Sequence, residues 1–185
     1  SDFVLEGKNA ATELAKLLDS KGNIVELEGT VGAGPAIDRK KGFDDEMAAS
    51  YPDVKILASQ SGDFTLAKGK EVMEAFLKKY GKDINGVYAH NDEMALGAIQ
   101  AIEEAGLKPG VDIKIVSIDG ERAAFEAMVD GKLNVTVECN PLLGPQFYDT
   151  ALKLANGETV DKWVKSEEGI YRMETSSTDL PTRQY

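Results

Sequence analysis

Five short runs rich in apolar residues recur along the chain: Asn23–Glu28, Val54–Ser59, Asn85–His90, Ile113–Ile118 and Asn134–Glu138. A longer stretch of helical periodicity separates each from the next. Parallel strands cannot be joined by a tight turn and need a crossover, most often a helix. This rhythm therefore predicts βα units, and over residues 1–140 an α/β fold built on a doubly wound parallel sheet with helices on both faces. A first helix is expected over Val4–Ser20, with Leu5, Ala11, Leu14, Ala15 and Leu18 on one stripe. The next starts at Pro35, a residue suited to a first helical turn, and runs to about Ser50. Thr65–Tyr80 carries Val72, Met73, Phe76 and Leu77; Asp92–Ala105 stops at Gly106; Arg122–Val129 is short.

After Pro141 the rhythm weakens. Leu142–Leu154 reads as a helix ending at Asn156-Gly157, Trp163–Lys165 and Gly169–Met173 as short strands, and the tail from Glu174 as polar and irregular. No apolar run approaches the roughly 18 residues that span a bilayer. The chain carries 21 basic and 32 acidic residues, a net charge of −11. An acidic surface repels phosphate backbones, so no nucleic-acid partner is expected. Cys139 is the single cysteine and His90 the single histidine, which excludes an internal disulfide and the usual zinc site. No metal and no cofactor is expected. The run Gly29-Thr30-Val31-Gly32-Ala33-Gly34 follows a strand, but lacks the Gly-Lys-Ser/Thr ending of a phosphate loop and the third glycine and downstream acid of a dinucleotide fingerprint. It reads as a strand-to-helix turn.

In open parallel sheets, ligands bind in the crevice at the carboxyl ends of the strands. Those ends carry Glu28-Gly29-Thr30, Gln60–Phe64, His90-Asn91-Asp92, Asp119-Gly120 and Glu138-Cys139-Asn140, with Arg39 just beyond the first. A sugar needs such a set: carboxylates, amides and guanidinium forks for its hydroxyls, and a ring for its C–H face. Arg39, Asn91 and Asp119 are the candidate polar contacts and Phe64 the candidate platform. Each has a structural alternative. Asn91 fits a helix N-cap equally well; Asp119-Gly120 is a common turn pair; Arg39 could pair with a surface acid; and Phe64 could be core. Asp92 and Glu93 in a first helical turn suit the dipole. Cys139 reads as a small buried residue without a partner base.

Several stretches together resemble the periplasmic sugar-binding proteins of the ribose-binding type, and among them the galactofuranose-binding kind most. They are Ala36-Ile37-Asp38-Arg39-Lys40-Lys41-Gly42-Phe43, Ser59-Gln60-Ser61-Gly62-Asp63-Phe64, Tyr88-Ala89-His90-Asn91-Asp92-Glu93-Met94, Gly97–Ile102, Ser117-Ile118-Asp119-Gly120 and the closing Leu180–Tyr185. The resemblance implies two similar α/β lobes that close on a monosaccharide, with Arg39, Asn91 and Asp119 as sugar contacts and Phe64 where a stacking ring often lies. A further contact, often glutamine, maps near Cys139, a departure that bears on sugar preference.

In the family a whole lobe precedes the position of Ser1. The resemblance thus implies a C-terminal sugar-binding lobe over 1–140, a segment over 141–175 belonging to the N-terminal lobe, and a tail over 176–185. It also implies a binding protein rather than an enzyme, periplasmic or extracellular and in some cases a membrane-anchored lipoprotein, that serves the membrane permease of an ABC transporter. Two other readings share the fold. The effector-sensing domain of a sugar-responsive repressor would carry a basic helix-turn-helix upstream; an α/β enzyme acting on sugars or phosphates would need an Asp cluster for metal, or a phosphate loop. The resemblance implies that the stripe Leu142, Leu143, Phe147, Tyr148, Ala151, Leu152 and Leu154 packs on the N-terminal lobe; without it the segment could fold back on its own lobe, stay mobile or pack on a second copy, and self-association through 142–154 is expected.

Overall fold

The computed structural model describes residues 1–185, and a six-stranded sheet organises it in the order β2-β1-β3-β4-β5-β6. Strands β1 (Gly22–Glu28), β2 (Val54–Ser61), β3 (Gly86–Ala89), β4 (Lys114–Asp119) and β5 (Val135–Glu138) are all parallel, as the alternating pattern requires. The strand order reverses at β1, whose neighbours are β2 and β3. At such a switch point the connections leave toward opposite faces and open a crevice at the carboxyl edge.

Helices α1 (Phe3–Leu17) and α2 (Gly34–Ser50) cover one face, and α3 (Leu66–Tyr80), α4 (Asp92–Glu104) and α5 (Arg122–Val129) the other. Period-2 alternation in the strands serves both. Ile24, Tyr88, Val116 and Ile118 pack with Leu14, Phe43 and Met47 under the first pair, while Val25, Leu27, Val87 and Ile115 join Met73, Met94 and Phe125 under the second. Three helices start on side-chain caps from Asp2, Thr65 and Asn91, which accept from Leu5, Lys68 and Met94 backbone N–H groups.

The helix pairs approach through glycines. A Cβ on Gly7 would lie 2.0 Å from the Arg39 carbonyl oxygen, and one on Gly42 2.0 Å from that of Val4. The opposite face repeats the device: a Cβ on Gly97 would meet the Leu66 carbonyl at 2.2 Å, and one on Gly69 the Met94 Cα at 2.6 Å. The obstruction in each case includes backbone, which cannot rotate away.

Several expectations need correction. Helix α1 ends at Leu17 rather than Ser20, because Asp19 and Ser20 turn to positive φ, and Leu5, placed on the buried stripe, is half exposed. Trp163–Lys165 is not a strand; no neighbour offers it a ladder and Trp163 is exposed. Within Gly169–Met173 the expected strand forms as β6 (Ile170–Arg172), antiparallel to β5, which adds a sixth strand to the five expected over residues 1–140 and puts residues 170–172 on this lobe's sheet. The tail is not irregular: Met173–Thr175 and Leu180–Thr182 are 3-10 turns on either side of α7 (Ser176–Asp179). Helix α6 (Gly144–Ala155) buries none of its residues, and Phe147, Tyr148 and Leu152 are each more than 60% exposed.

The glycine crossing generates a test. Gly42→Ala should destabilise the fold by about 1–3 kcal/mol in urea unfolding, the range for overpacking a tight contact. Gly34→Ala, whose Cβ meets nothing within 4 Å, should stay within about 0.5 kcal/mol of the parent. Equal costs would show that the close crossing is not what constrains α1 against α2.

Candidate functional site

Arg39 lies on the second turn of α2 and is buried, 3% exposed. A buried guanidinium must find partners for its rigid fork of donors. Nε donates to Glu6 Oε2 of α1 at 2.8 Å, Nη1 to the His90 carbonyl after β3 at 2.6 Å, and Nη2 to Asp119 Oδ1 at the end of β4 at 3.2 Å. Three elements are thereby fixed to one side chain, and the two carboxylates hold the guanidinium firmly protonated against its burial. The rings of Phe3 and Phe64 flank it, with centroids 5.5 and 6.0 Å away.

Asn91 acts as the cap of α4: its Oδ1 accepts from the Met94 N–H at 3.1 Å. Its Nδ2 donates to the Phe64 carbonyl at 3.1 Å, tying the start of α4 to the turn after β2. That turn carries Asp63 and Phe64 at positive φ, and the Phe64 ring sits so close to Gly29 that a Cβ there would lie 2.0 Å from it. The first glycine of the Gly29–Gly34 run is therefore needed for the ring. His90 is a satisfied histidine: Nδ1 accepts from the Gly29 N–H at 3.2 Å, and Nε2, which carries the proton in this network, bonds Glu26 Oε1 at 2.9 Å.

Asp119 has a φ of 134°, a region that L-residues seldom adopt. Asp92 secures the turn that follows. Fully buried, it accepts the Gly120 and Glu121 N–H groups, each at 2.8 Å, and the Thr136 hydroxyl at 2.8 Å, together with that of Ser117. Its role thus goes beyond the dipole complement expected of a first-turn acid. Burial pushes Asp92 up to about 6 despite these donors. Burial also pushes Asp119 up to about 8, against the pull of Arg39 and with the help of Asp92 and Glu121. Glu121 rises to about 7 through burial and the neighbouring carboxylates of Asp92 and Glu93.

A cavity of about 410 Å³ opens at this edge, lined by Phe3, Asp119, Glu121, Cys139, Asn140 and Tyr185 among others. That volume suits a small ligand. Of the sequence-predicted residues, Asp119 and Cys139 line it. Arg39, Phe64 and Asn91 do not line it: Arg39 reaches it through Asp119, and the Phe64 ring, 6.0 Å from the guanidinium, belongs to the turn that Asn91 bonds. Cys139 is half-buried, 3.4 Å from the Ser1 hydroxyl, and burial pushes its thiol up to about 11, which suits a small wall residue better than a nucleophile. Glu6, Glu121 and Tyr185 went unassigned in the sequence because only the folded chain brings them to this edge. Another depression, about 250 Å³ at the amino ends of β3 and β4, is lined by Lys82, Ile84, Leu107, Asp112 and Ile113 and gathers no comparable polar set.

Glu6, Cys139 and Glu168 bring three potential metal-ligand atoms within 4.8 Å of one another. Their chemistry does not favour a cation. Arg39 already supplies a positive charge to Glu6, Glu168 accepts from Ser166 Oγ at 2.8 Å and the Asn140 N–H at 3.1 Å, and the thiol is held protonated.

The sequence matches the periplasmic binding protein domain family over residues 1–159, and the chain belongs to that family. It is 48% identical over 188 residues to the galactofuranose-binding protein YtfQ of Escherichia coli strain K12, covering 100% of this chain and 59% of that protein. It is 38% identical over 161 residues to the ribose import binding protein RbsB of the same organism, covering 86% and 52% respectively. Its structure superimposes with a TM-score of 0.92 and 47% identity on the periplasmic binding protein component of the arabinose ABC transporter from Shewanella sp. ANA-3, bound to α- and β-L-arabinofuranose, over 100% of this chain and 61% of that one. The chain thus spans between half and two thirds of these relatives' length. They are binding proteins, and their shared fold is the mostly parallel α/β lobe described above.

The raised carboxylates fix a pH dependence. A group whose pKa is higher folded than unfolded binds its proton more tightly in the fold. Its stabilisation is complete below about pH 4 and is lost as pH rises through the folded value. Asp92, Asp119 and Glu121 together should make stability fall from about pH 4 to 8. Asp119→Asn should flatten the upper part of that decline in urea unfolding measured across pH. A variant slope equal to the parent's between pH 6 and 8 would contradict the assignment.

Proposed function

We propose, from membership of this family, that the chain is the sugar-holding lobe of the solute-binding component of an ABC sugar transporter, and that it binds a monosaccharide without transforming it. The observation that carries this reading is the Arg39–Asp119 pair at the carboxyl edge, beside a cavity of sugar size. Asp119 engages Arg39 through Oδ1, which leaves Oδ2 to meet a sugar hydroxyl, as donor while the carboxyl is protonated and as acceptor once it ionises. Arg39 and Asn91 keep one further N–H each on Nη2 and Nδ2 as neighbouring donors, Phe64 and Phe3 offer apolar faces, and Cys139 offers a small wall with a weak donor. The relatives named for galactofuranose and bound to arabinofuranose favour a furanose-form sugar over a pyranose. On this reading a second lobe closes over the sugar, and the closed form engages the permease from the periplasmic or extracellular side, either free or as an anchored lipoprotein.

In a two-lobed protein carrying this lobe, Asp119→Ala should weaken the best sugar about ten- to a hundredfold, since hydrogen bonds to a charged group contribute about 1.5–3 kcal/mol each. Calorimetry with galactose, arabinose and ribose measures it, and an unchanged affinity for all three defeats the assignment. The lone chain should bind far more weakly than such a two-lobed protein.

The same reading assigns the apolar stripe of α6 to an interface, and for the chain alone to self-association through residues 142–154. Leu142, Leu143, Phe147, Tyr148, Leu152 and Leu154 are all at least 42% exposed, and one symmetric contact would cover two such stripes. Light scattering over a dilution series should show a dimer that Phe147→Glu dissociates. A monomer at every concentration rules this out.

A further inference from the structure

The turn that carries Asp119 is gripped from both sides. Asp92 accepts its N–H groups from within the sheet, as described. From the opposite side the guanidinium of Arg183 donates to the Gly120 carbonyl twice, from Nε at 3.1 Å and from Nη2 at 2.7 Å. Two residues on, the Tyr185 carbonyl accepts the Arg122 N–H at 2.6 Å, so the chain end bonds the far side of the same turn.

Arg183 is itself held tightly. Its side chain is 7% exposed, and its guanidinium carbon lies 4.9, 4.7 and 4.6 Å from the ring centroids of Phe125, Tyr171 and Tyr185. Its third arm, Nη1, donates to Glu138 Oε1 at 3.0 Å, and the Tyr185 hydroxyl donates to the same oxygen at 2.7 Å. A buried arginine held by three rings and a carboxylate gives the carbonyl it contacts little freedom. A residue at φ 134° persists only where its surroundings over-determine it.

We infer that Arg183 is a positioning residue for the ligand site: acting through Gly120, it fixes the strained turn that aims the Asp119 carboxylate into the cavity, and Tyr185 completes that cavity's wall. The inference rests on the sugar-binding reading for its functional consequence and on the geometry alone for its structural one. Lysine cannot replace the fork, since a single ammonium cannot both pair with Glu138 and donate twice to one carbonyl while lying flat among three rings.

The test uses Arg183→Lys and Arg183→Ala, with Asp119→Ala as a control, in a protein carrying both lobes. Sugar affinity is measured by calorimetry with arabinose, galactose and ribose, folding by thermal melts, and the turn by amide NMR shifts of Gly120, Glu121 and Arg122. The expected result is a loss of affinity of at least about tenfold in Arg183→Lys with a retained cooperative melt, together with shifts in those three amides. Should Arg183→Ala fail to fold, the lysine variant carries the test. Affinity within twofold of the parent and unmoved amides in folded Arg183→Lys would overturn the inference. If Asp119→Ala leaves affinity intact, the sugar reading itself falls, and the amide shifts then decide the positioning role alone.

Discussion

The burial of one guanidinium organises the site. Arg39 is shut away from water and its charge must be met, so α1, β3 and β4 each deliver an oxygen to it. Glu6 can do so only because α1 runs unusually close to α2. Gly7, the next residue, is where a side chain would strike the Arg39 carbonyl, and Gly42 plays the reciprocal part against Val4. The glycine crossing and the ion pair are two views of one constraint: the helices approach to bring Glu6 within reach, and the contact holds the arginine still. A fixed arginine then sets where Asp119 stands.

Asp119 faces a conflict that the rest of the edge resolves. It ends a strand in a conformation that costs free energy, and it stands near two other carboxylates whose burial pushes all three toward their protonated forms. Arg39 offsets part of the electrostatic cost, while Asp92 and Arg183 hold the backbone. Such an arrangement is poor as a stabilising device and well suited to a binding one, because an acceptor fixed in advance loses little entropy when a hydroxyl arrives.

The fold was legible because parallel strands buried on both faces read as apolar runs, and the helices between them keep a clear period. Of the two short strands expected after Pro141, Gly169–Met173 holds, with Ile170–Arg172 pairing on the edge that β5 leaves, and the other fails for a local reason. Trp163–Lys165 has the β-rich composition and no such edge. At the candidate site, the places of Asp119 and Arg39 after strands anticipated that the fold would bring them together, and Asn91 makes the helix cap that its sequence allowed. Arg183 and Tyr185 sit more than 60 residues from the turn they grip, and no spacing rule links positions so distant.

Several groups that could perform chemistry are occupied by the fold. His90 has both ring nitrogens engaged, and Cys139 is held as a thiol. Asp92 spends both oxygens on the fold, and Glu6 gives one to Arg39. A general base needs a free lone pair within reach of substrate and a nucleophile needs a base beside it. At this edge the acceptors open toward the cavity are Asp119, whose single engaged oxygen is held by Arg39, and Glu121, whose side chain makes no hydrogen bond. A fixed carboxyl backed by a fixed guanidinium suits the proposed recognition of hydroxyls, because both groups are already in place before a ligand arrives.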